Sequence, residues 1–240
     1  MPAEPTRTAH PPAALPAMNG LLTRLPRDVQ QRLIALSTRV SLRKDASLAE
    51  AGSPVTSVYL PCSGLVSLQT MTQYAESVEI AMVGKEGIAG LPLASAAAVA
   101  PHTSVVVIPG EAYRLRVDAW QTEFERSTSL QRAVVQYWQV MMIEIAQGSA
   151  CHRFHTARQR LARWLLSASD RTQSLRIEMT HERLAQSLGL QRTRVTLASL
   201  ALQDAGAIKS RRGRITILDR RRVETLACEC YRQCRDRAAE

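Results

Sequence analysis

The chain has 240 residues, 45% of them hydrophobic and 22% charged, with only five cysteines. This is the composition of a globular protein of one or two domains. It excludes a disulfide-built scaffold and fits a reducing cytoplasm. The net charge of +10 is unevenly placed: residues 1–152 carry 12 Lys+Arg against 12 Asp+Glu, and residues 153–240 carry 19 against 9. A neutral module joined to one that binds a polyanion explains this split, and a merely basic tail is the alternative.

Residues 1–18 are Pro/Ala-rich and aperiodic, and disorder is expected there. Broken by Arg7 and His10, they lack the apolar centre of a secretory signal. A helix is predicted over Arg27–Thr38, where Val29, Leu33 and Leu36 recur at helical spacing. From Val40 to Leu115 short alternating runs predict strands, separated by Gly52-Ser53-Pro54, Ser63-Gly64, Gly84-Lys85-Glu86-Gly87 and Pro109-Gly110. Such punctuation suits a small β-roll or barrel. The most apolar stretch, Ile88–Ile108, contains Pro92, Pro101 and His102, and reads as loop and strand, not as a membrane span.

A long helix is predicted over Ser129–Cys151. Leu130, Val134, Tyr137, Met141, Ile145 and Gly148 follow a near-heptad spacing, and the first five are the expected dimerisation residues. The alternative is a face packed only on its own domain. Further helix is predicted over His155–Ser169, with Leu161, Trp164, Leu165 and Ala168 inward, then a strand over Leu175–Met179.

Thr180–Leu202 has the spacing of a helix-turn-helix. Thr180 caps the first helix, with Arg183 in place of the glutamate of a capping box. Leu184 and Leu188 face inward, Ala185 leaves room for a crossing helix, and Gly189 supplies a left-handed turn residue. Val195 packs the second helix back on Ala185. A hairpin, Ala207–Leu218, carries Lys209, Arg211, Arg212 and Arg214 around Gly213, which makes a cationic wing for phosphates. Asp219 caps a last helix.

Over nearly its full length the chain resembles the Crp/Fnr superfamily of bacterial transcription regulators. The resemblance rests on Leu184-Ala185-Gln186, Leu188-Gly189, Arg192, Val195-Thr196-Leu197, Ala205-Gly206, Ile208 and Arg212–Asp219. N-terminal segments agree: Leu21-Leu22, Leu25-Pro26, Val58–Pro61, Ser63–Leu68 and Val83–Gly87. Ala227-Cys228-Glu229-Cys230-Tyr231 matches near the end. It implies an α+β fold: a cyclic-nucleotide-binding-like β-roll at 19–126, a dimerisation helix at 127–152 and a winged helix-turn-helix at 153–240. It further implies a homodimer on near-palindromic double-stranded DNA, with RNA polymerase and an unidentified small-molecule effector as further candidate partners, and no membrane.

On a helical wheel Val195, Ala198 and Leu202 turn inward. The expected DNA-contacting set is Thr180, Gln191, Arg192, Thr193, Arg194, Thr196, Leu197, Arg211, Arg212 and Arg214. The resemblance assigns guanine reading to Arg192. Thr193 and Leu197 stand where the cAMP receptors carry glutamate and arginine. Arg194 is left between a phosphate contact and an internal ion pair.

The cyclic-nucleotide binders of the family use a Gly-Glu-Leu turn and an Arg-Ser pair. Here Gly87-Ile88-Ala89-Gly90-Leu91 has no carboxylate and Pro101-His102-Thr103-Ser104 no arginine, so cAMP is disfavoured and no cofactor is identified. Cys228, Cys230 and Cys234 are expected on one helix, and Cys151, His152 and His155 at the domain junction. Each group is read as structural and no metal is assigned. No phosphate loop, nucleophile elbow or zinc-spaced cluster is found, so an enzyme is not expected. A scaffold whose helix-turn-helix contacts protein is the alternative function.

Overall fold

A computed structural model describes residues 18–73, 77–90 and 99–239. The expected disordered stretch, apart from Met18, lies outside them, as do Leu91 and Pro92. Two short helices, α1 (Gly20–Thr23) and α2 (Arg27–Ala35), lead into seven strands. These are β1 (Thr38–Leu42), β2 (Ser47–Ala49), β3 (Ser57–Pro61), β4 (Leu65–Met71), β5 (Ser77–Val83), β6 (Thr103–Ile108) and β7 (Gly110–Arg116). The predicted first helix ends earlier than expected, because Leu36 closes it and Thr38 already pairs with Arg114 of β7.

The strands form two antiparallel sheets, β1-β7-β3 and β2-β6-β4-β5, which close over Leu42, Val66, Leu68, Val83 and Val106. Buried Asn19 fixes the entry of the chain. Its carboxamide oxygen accepts from the Leu21 and Leu22 amides, and its Nδ2 donates to the carbonyls of Pro61 and Gly87. A buried polar side chain satisfied on both ends specifies one arrangement.

Next come α3 (Val117–Arg126) and the long α4 (Thr128–Phe154), the latter capped by Ser127, whose hydroxyl accepts from the Leu130 amide. The heptad face expected to pair with a second copy packs instead on the chain's own β-roll. Leu130 and Val134 join the cluster of Leu22, Leu33 and Trp120. Met141, with Tyr137 and Ile145 beside it, lies against the sheet core. Tyr137 donates its hydroxyl to the Ile88 carbonyl at 3.2 Å. The cause is the hydrophobic demand of the roll, since each buried aliphatic side chain contributes about 1.5–3 kcal/mol.

The C-terminal module contains α5 (Ala157–Thr172), β8 (Arg176–Ile177), α6 (His181–Leu188), α7 (Arg192–Asp204), β9 (Ile208–Arg211), β10 (Arg214–Ile217), α8 (Arg220–Leu226) and α9 (Cys230–Ala239). Only His155 and Thr156 separate α4 from α5. There Thr156 and Gln159 form a reciprocal capping box, which makes a defined bend. Leu161, Leu165, Ile177, Leu184, Val195, Leu202, Ile215 and Val223 share one core. Among the described residues no helix is long and apolar enough to cross a membrane.

Polar contacts join the modules, among them an ion pair from Arg183 of α6 to Asp45 of the roll and two made by α5. Arg171 of α5 bonds Glu86, in the turn after β5, at 3.0 Å and Glu144 of α4 at 2.5 Å. Trp164 of α5 donates its indole N–H to Glu79 Oε1 of β5 at 2.8 Å. Burial, opposed by hydrogen bonds from Ser67, Trp164 and Ser187, pushes the Glu79 carboxyl up from 4.5 to about 7. The folded protein therefore holds this proton more tightly than the unfolded chain. The stability it supplies is full below pH 4.5 and lost as pH rises through about 7. Glu79→Gln keeps an acceptor for Trp164 without a charge. The variant is expected to match the wild type in urea unfolding near pH 4.5 and to exceed it above pH 7 by up to about 3 kcal/mol. A difference that does not change with pH would contradict this.

Candidate nucleic-acid interface

Helix α6 begins at Thr180, whose hydroxyl accepts from the Arg183 amide at 3.2 Å. It ends at Gly189, with φ of +56°, where the Leu190 amide reaches back to the Ala185 carbonyl. That left-handed closure favours glycine. A Cβ at Gly189 would also come within 3.1 Å of the Val78 side chain, so the same residue lets the turn approach β5.

Helix α7 buries Val195, Ala198 and Leu202 and exposes Gln191, at its N-cap, with Arg192, Thr193, Arg194 and Leu197. Leu197 is 66% and Leu200 48% exposed, although both are large and apolar. Arg192 has one loose partner, Glu182, at 3.9 Å between exposed side chains. Arg194 makes no ion pair among the described residues. Thr196, also in the expected DNA-contacting set, has partners within the chain. It is half-buried, and its hydroxyl donates to the Arg192 carbonyl and meets His181 Nδ1 at 3.1 Å.

The wing is the hairpin β9–β10, with Arg211 opposite Arg214. Arg212 (φ +46°) and Gly213 (φ +75°) make its two-residue turn, both left-handed as a tight right-twisted hairpin requires. Arg211 and Arg212 project into solvent without an ion pair among the described residues. Arg214 pairs with Glu178, just after β8, at 3.0 Å, which commits part of its charge.

His181 is a positioning residue that sequence reasoning missed. Its Nδ1 faces Thr196 of α7 and its Nε2 lies 3.2 Å from the Ser210 hydroxyl of β9, so one imidazole links helix and wing. No periodic signal marks it; the cue is a histidine directly after a cap, with hydroxyls on two later elements.

The cysteine segment also departs from expectation. Cys228 lies in the break between α8 and α9, not on one helix with Cys230 and Cys234. The break brings Cys228 and Cys230 to Cys151 and His155 at the end of α4. The four donor atoms lie within 4.8 Å of one another, and His152 and Cys234 are not among them.

Residues 159–226 match the family model of the Crp-like helix-turn-helix domain. Comparison with curated proteins yields no match. Among solved structures, FixK2 from Bradyrhizobium japonicum superposes with a TM-score of 0.68 at 18% identity, over 80% of this chain and 98% of its own. The c-di-GMP-responsive global regulator CLP of Xanthomonas campestris gives 0.66 at 16% identity, over 81% and 100%. A protein described as a Crp/Fnr-family regulator, from Eubacterium rectale, gives 0.64 at 18% identity, over 86% and 96%.

Burial, and then the charge of Arg192, lower the His181 pKa from 6.5. Its contribution is therefore present above pH 6.5 and lost as pH falls through the lowered value. His181→Ala is expected to cost about 1 kcal/mol at neutral pH, the worth of a hydrogen bond or two at a half-buried site. That gap should narrow on acidification in thermal or urea unfolding, and a constant gap would mean that the imidazole only fills space. The chain carries a Crp-like helix-turn-helix domain over residues 159–226, and its fold is that of the Crp/Fnr transcription regulators.

Proposed function

We propose that the protein is a homodimeric, sequence-specific DNA-binding regulator of transcription that works in the cytoplasm. The observation that carries this reading is the exposed face of α7, with Arg192, Thr193, Arg194 and Leu197, beside a wing whose Arg211 and Arg212 are unpaired among the described residues. An α-helix of this kind fits the major groove, and wing cations fit the flanking phosphates. Arg192 reads guanine through its forked donors, and Thr193 and Leu197 offer methyl groups to thymine. Thr180, Gln191 and Arg194 stand at the rim as phosphate contacts, and Thr196 is braced by His181.

A dimer through α4 requires a face other than the buried one. Val135, Gln139, Met142, Ala146 and Ser149 are all exposed and recur at spacings of four, three, four and three. Val135 and Met142 are 54% and 58% exposed. This second stripe is a seam of heptad type. Paired through it, two copies of α7 would meet half-sites about one helical turn apart.

The sensor domain is not built for cAMP, whether or not it takes another effector. Ala89 occupies the place of the ribose-binding carboxylate, and its backbone N–H and C=O are both bonded to Tyr59. Exposed Leu197 and Leu200 favour a second reading, a helix-turn-helix that docks on protein. Electrostatic contact with phosphates makes DNA affinity fall steeply with salt, and a salt-independent interaction would support the second reading.

Selection of bound genomic fragments supplies the operator for two tests. Arg192→Ala is expected to cost about 1–3 kcal/mol and relax preference at one base pair, whereas Arg212→Ala weakens all sequences alike and lowers the salt slope by about one. Equal losses on every sequence for Arg192→Ala would reduce it to a phosphate contact. Met142→Glu places like charges across the seam and is expected to give monomers in sedimentation, with loss of operator binding. A persistent dimer would rule out this stripe.

A further inference from the structure

We propose that Cys151, His155, Cys228 and Cys230 form a tetrahedral zinc site that fastens the end of α4 to the α8–α9 junction. Cys151 and His155 stand one helical turn apart on one face, at the last turn and C-cap of α4. Cys228 and Cys230 flank the residue Glu229 at the break before α9. The sulfurs of Cys151 and Cys228 are 3.5 Å apart, and Cys230 Sγ is 3.5 Å from His155 Nδ1. Zinc bound at ordinary zinc–sulfur lengths of about 2.3 Å holds its sulfurs roughly 3.8 Å apart. All four donors already lie within 4.8 Å of one another, so the site needs only a small contraction.

The surroundings match such a site. His155 Nε2 faces Glu229 Oε1 at 3.1 Å, which leaves Nδ1 for the metal and orients the ring through a carboxylate. Gln147 donates its Nε2 to Cys230 Sγ at 3.0 Å. Three thiolates and a neutral imidazole leave one net negative charge around Zn²⁺. Arg163 faces this charge, and its Nη1 is buried with no hydrogen-bond partner. The three thiol protons pass to solvent as the metal enters. A mononuclear ion fits better than an iron–sulfur cluster, whose four ligands are divided among two or more irons and so do not all lie this close to one another.

Protein purified without chelators or oxidants is expected to hold one zinc per chain by mass-spectrometric metal analysis. Cys228→Ser with Cys230→Ser should abolish it, while Cys62→Ser, in the β-roll, retains it. Metal-free wild type titrated anaerobically with Co²⁺ should develop sulfur-to-cobalt charge-transfer and tetrahedral ligand-field bands, erased by one equivalent of Zn²⁺. The cobalt spectrum does not depend on whether the variants fold. Substoichiometric zinc without those bands, zinc retained by the double variant, iron with labile sulfide, or a Cys151–Cys228 disulfide in peptide maps would each overturn the proposal.

Discussion

A single guanidinium holds the architecture in register. Arg171 projects from the first helix of the C-terminal module into a junction shared with the β-roll and α4. Burial alone would disfavour its charge, but Glu144 and Glu86 outweigh that cost, and its pKa is raised. Ion pairs of this kind are poor sources of stability and good sources of specificity, because removing one member strands the others. The glycines of the Val83–Gly87 turn follow from it. A Cβ on Gly84 would lie 2.6 Å from Arg171 Cβ, and one on Gly87 would lie 2.5 Å from the Tyr137 hydroxyl. That segment is shaped by what lands on it from α4 and α5.

Local periodicity made much of the fold legible. Thr180, Gly189 and Asp219 are stop and start signals whose chemistry acts within a few residues, and each stands where the sequence places it. The inward set Val195, Ala198 and Leu202 obeys the helical wheel. Helix α4 shows the limit of this method. It carries two stripes of heptad spacing, and periodicity cannot say which one the chain's own roll will claim. The roll claims the more apolar stripe, Leu130 to Ile145, and the milder stripe at Val135 and Met142 is left exposed.

Long-range contacts were not legible, for a related reason. Thr196 lies on the outward arc of α7, yet a histidine 15 residues earlier captures its hydroxyl. Glu79 and Trp164 are 85 residues apart, and Cys151 and Cys228 are 77 apart. Neither pair leaves a spacing that a window of sequence can detect. The two cysteine-bearing segments each look structural alone. Only the tertiary fold, with the helix break at Cys228, makes them one set of donors.

The bend between α4 and α5 is where these constraints combine. It is two residues long and tightly capped, so it cannot absorb a large change in its own conformation. On one side Arg171 ties α5 to α4 and to the roll. On the other, the thiol and imidazole donors bring the end of α4 against the far end of the same module. Helix α4 spans about 40 Å at 1.5 Å per residue. A rotation of a few degrees at the bend is therefore magnified over the length of that helix. The module meets the β-roll away from the bend: Arg171, in the last turn of α5, holds Glu86, and the turn between α6 and α7 approaches Val78 of β5 at Gly189, so a rearrangement of the roll reaches the helix-turn-helix directly as well as through the Arg171 junction.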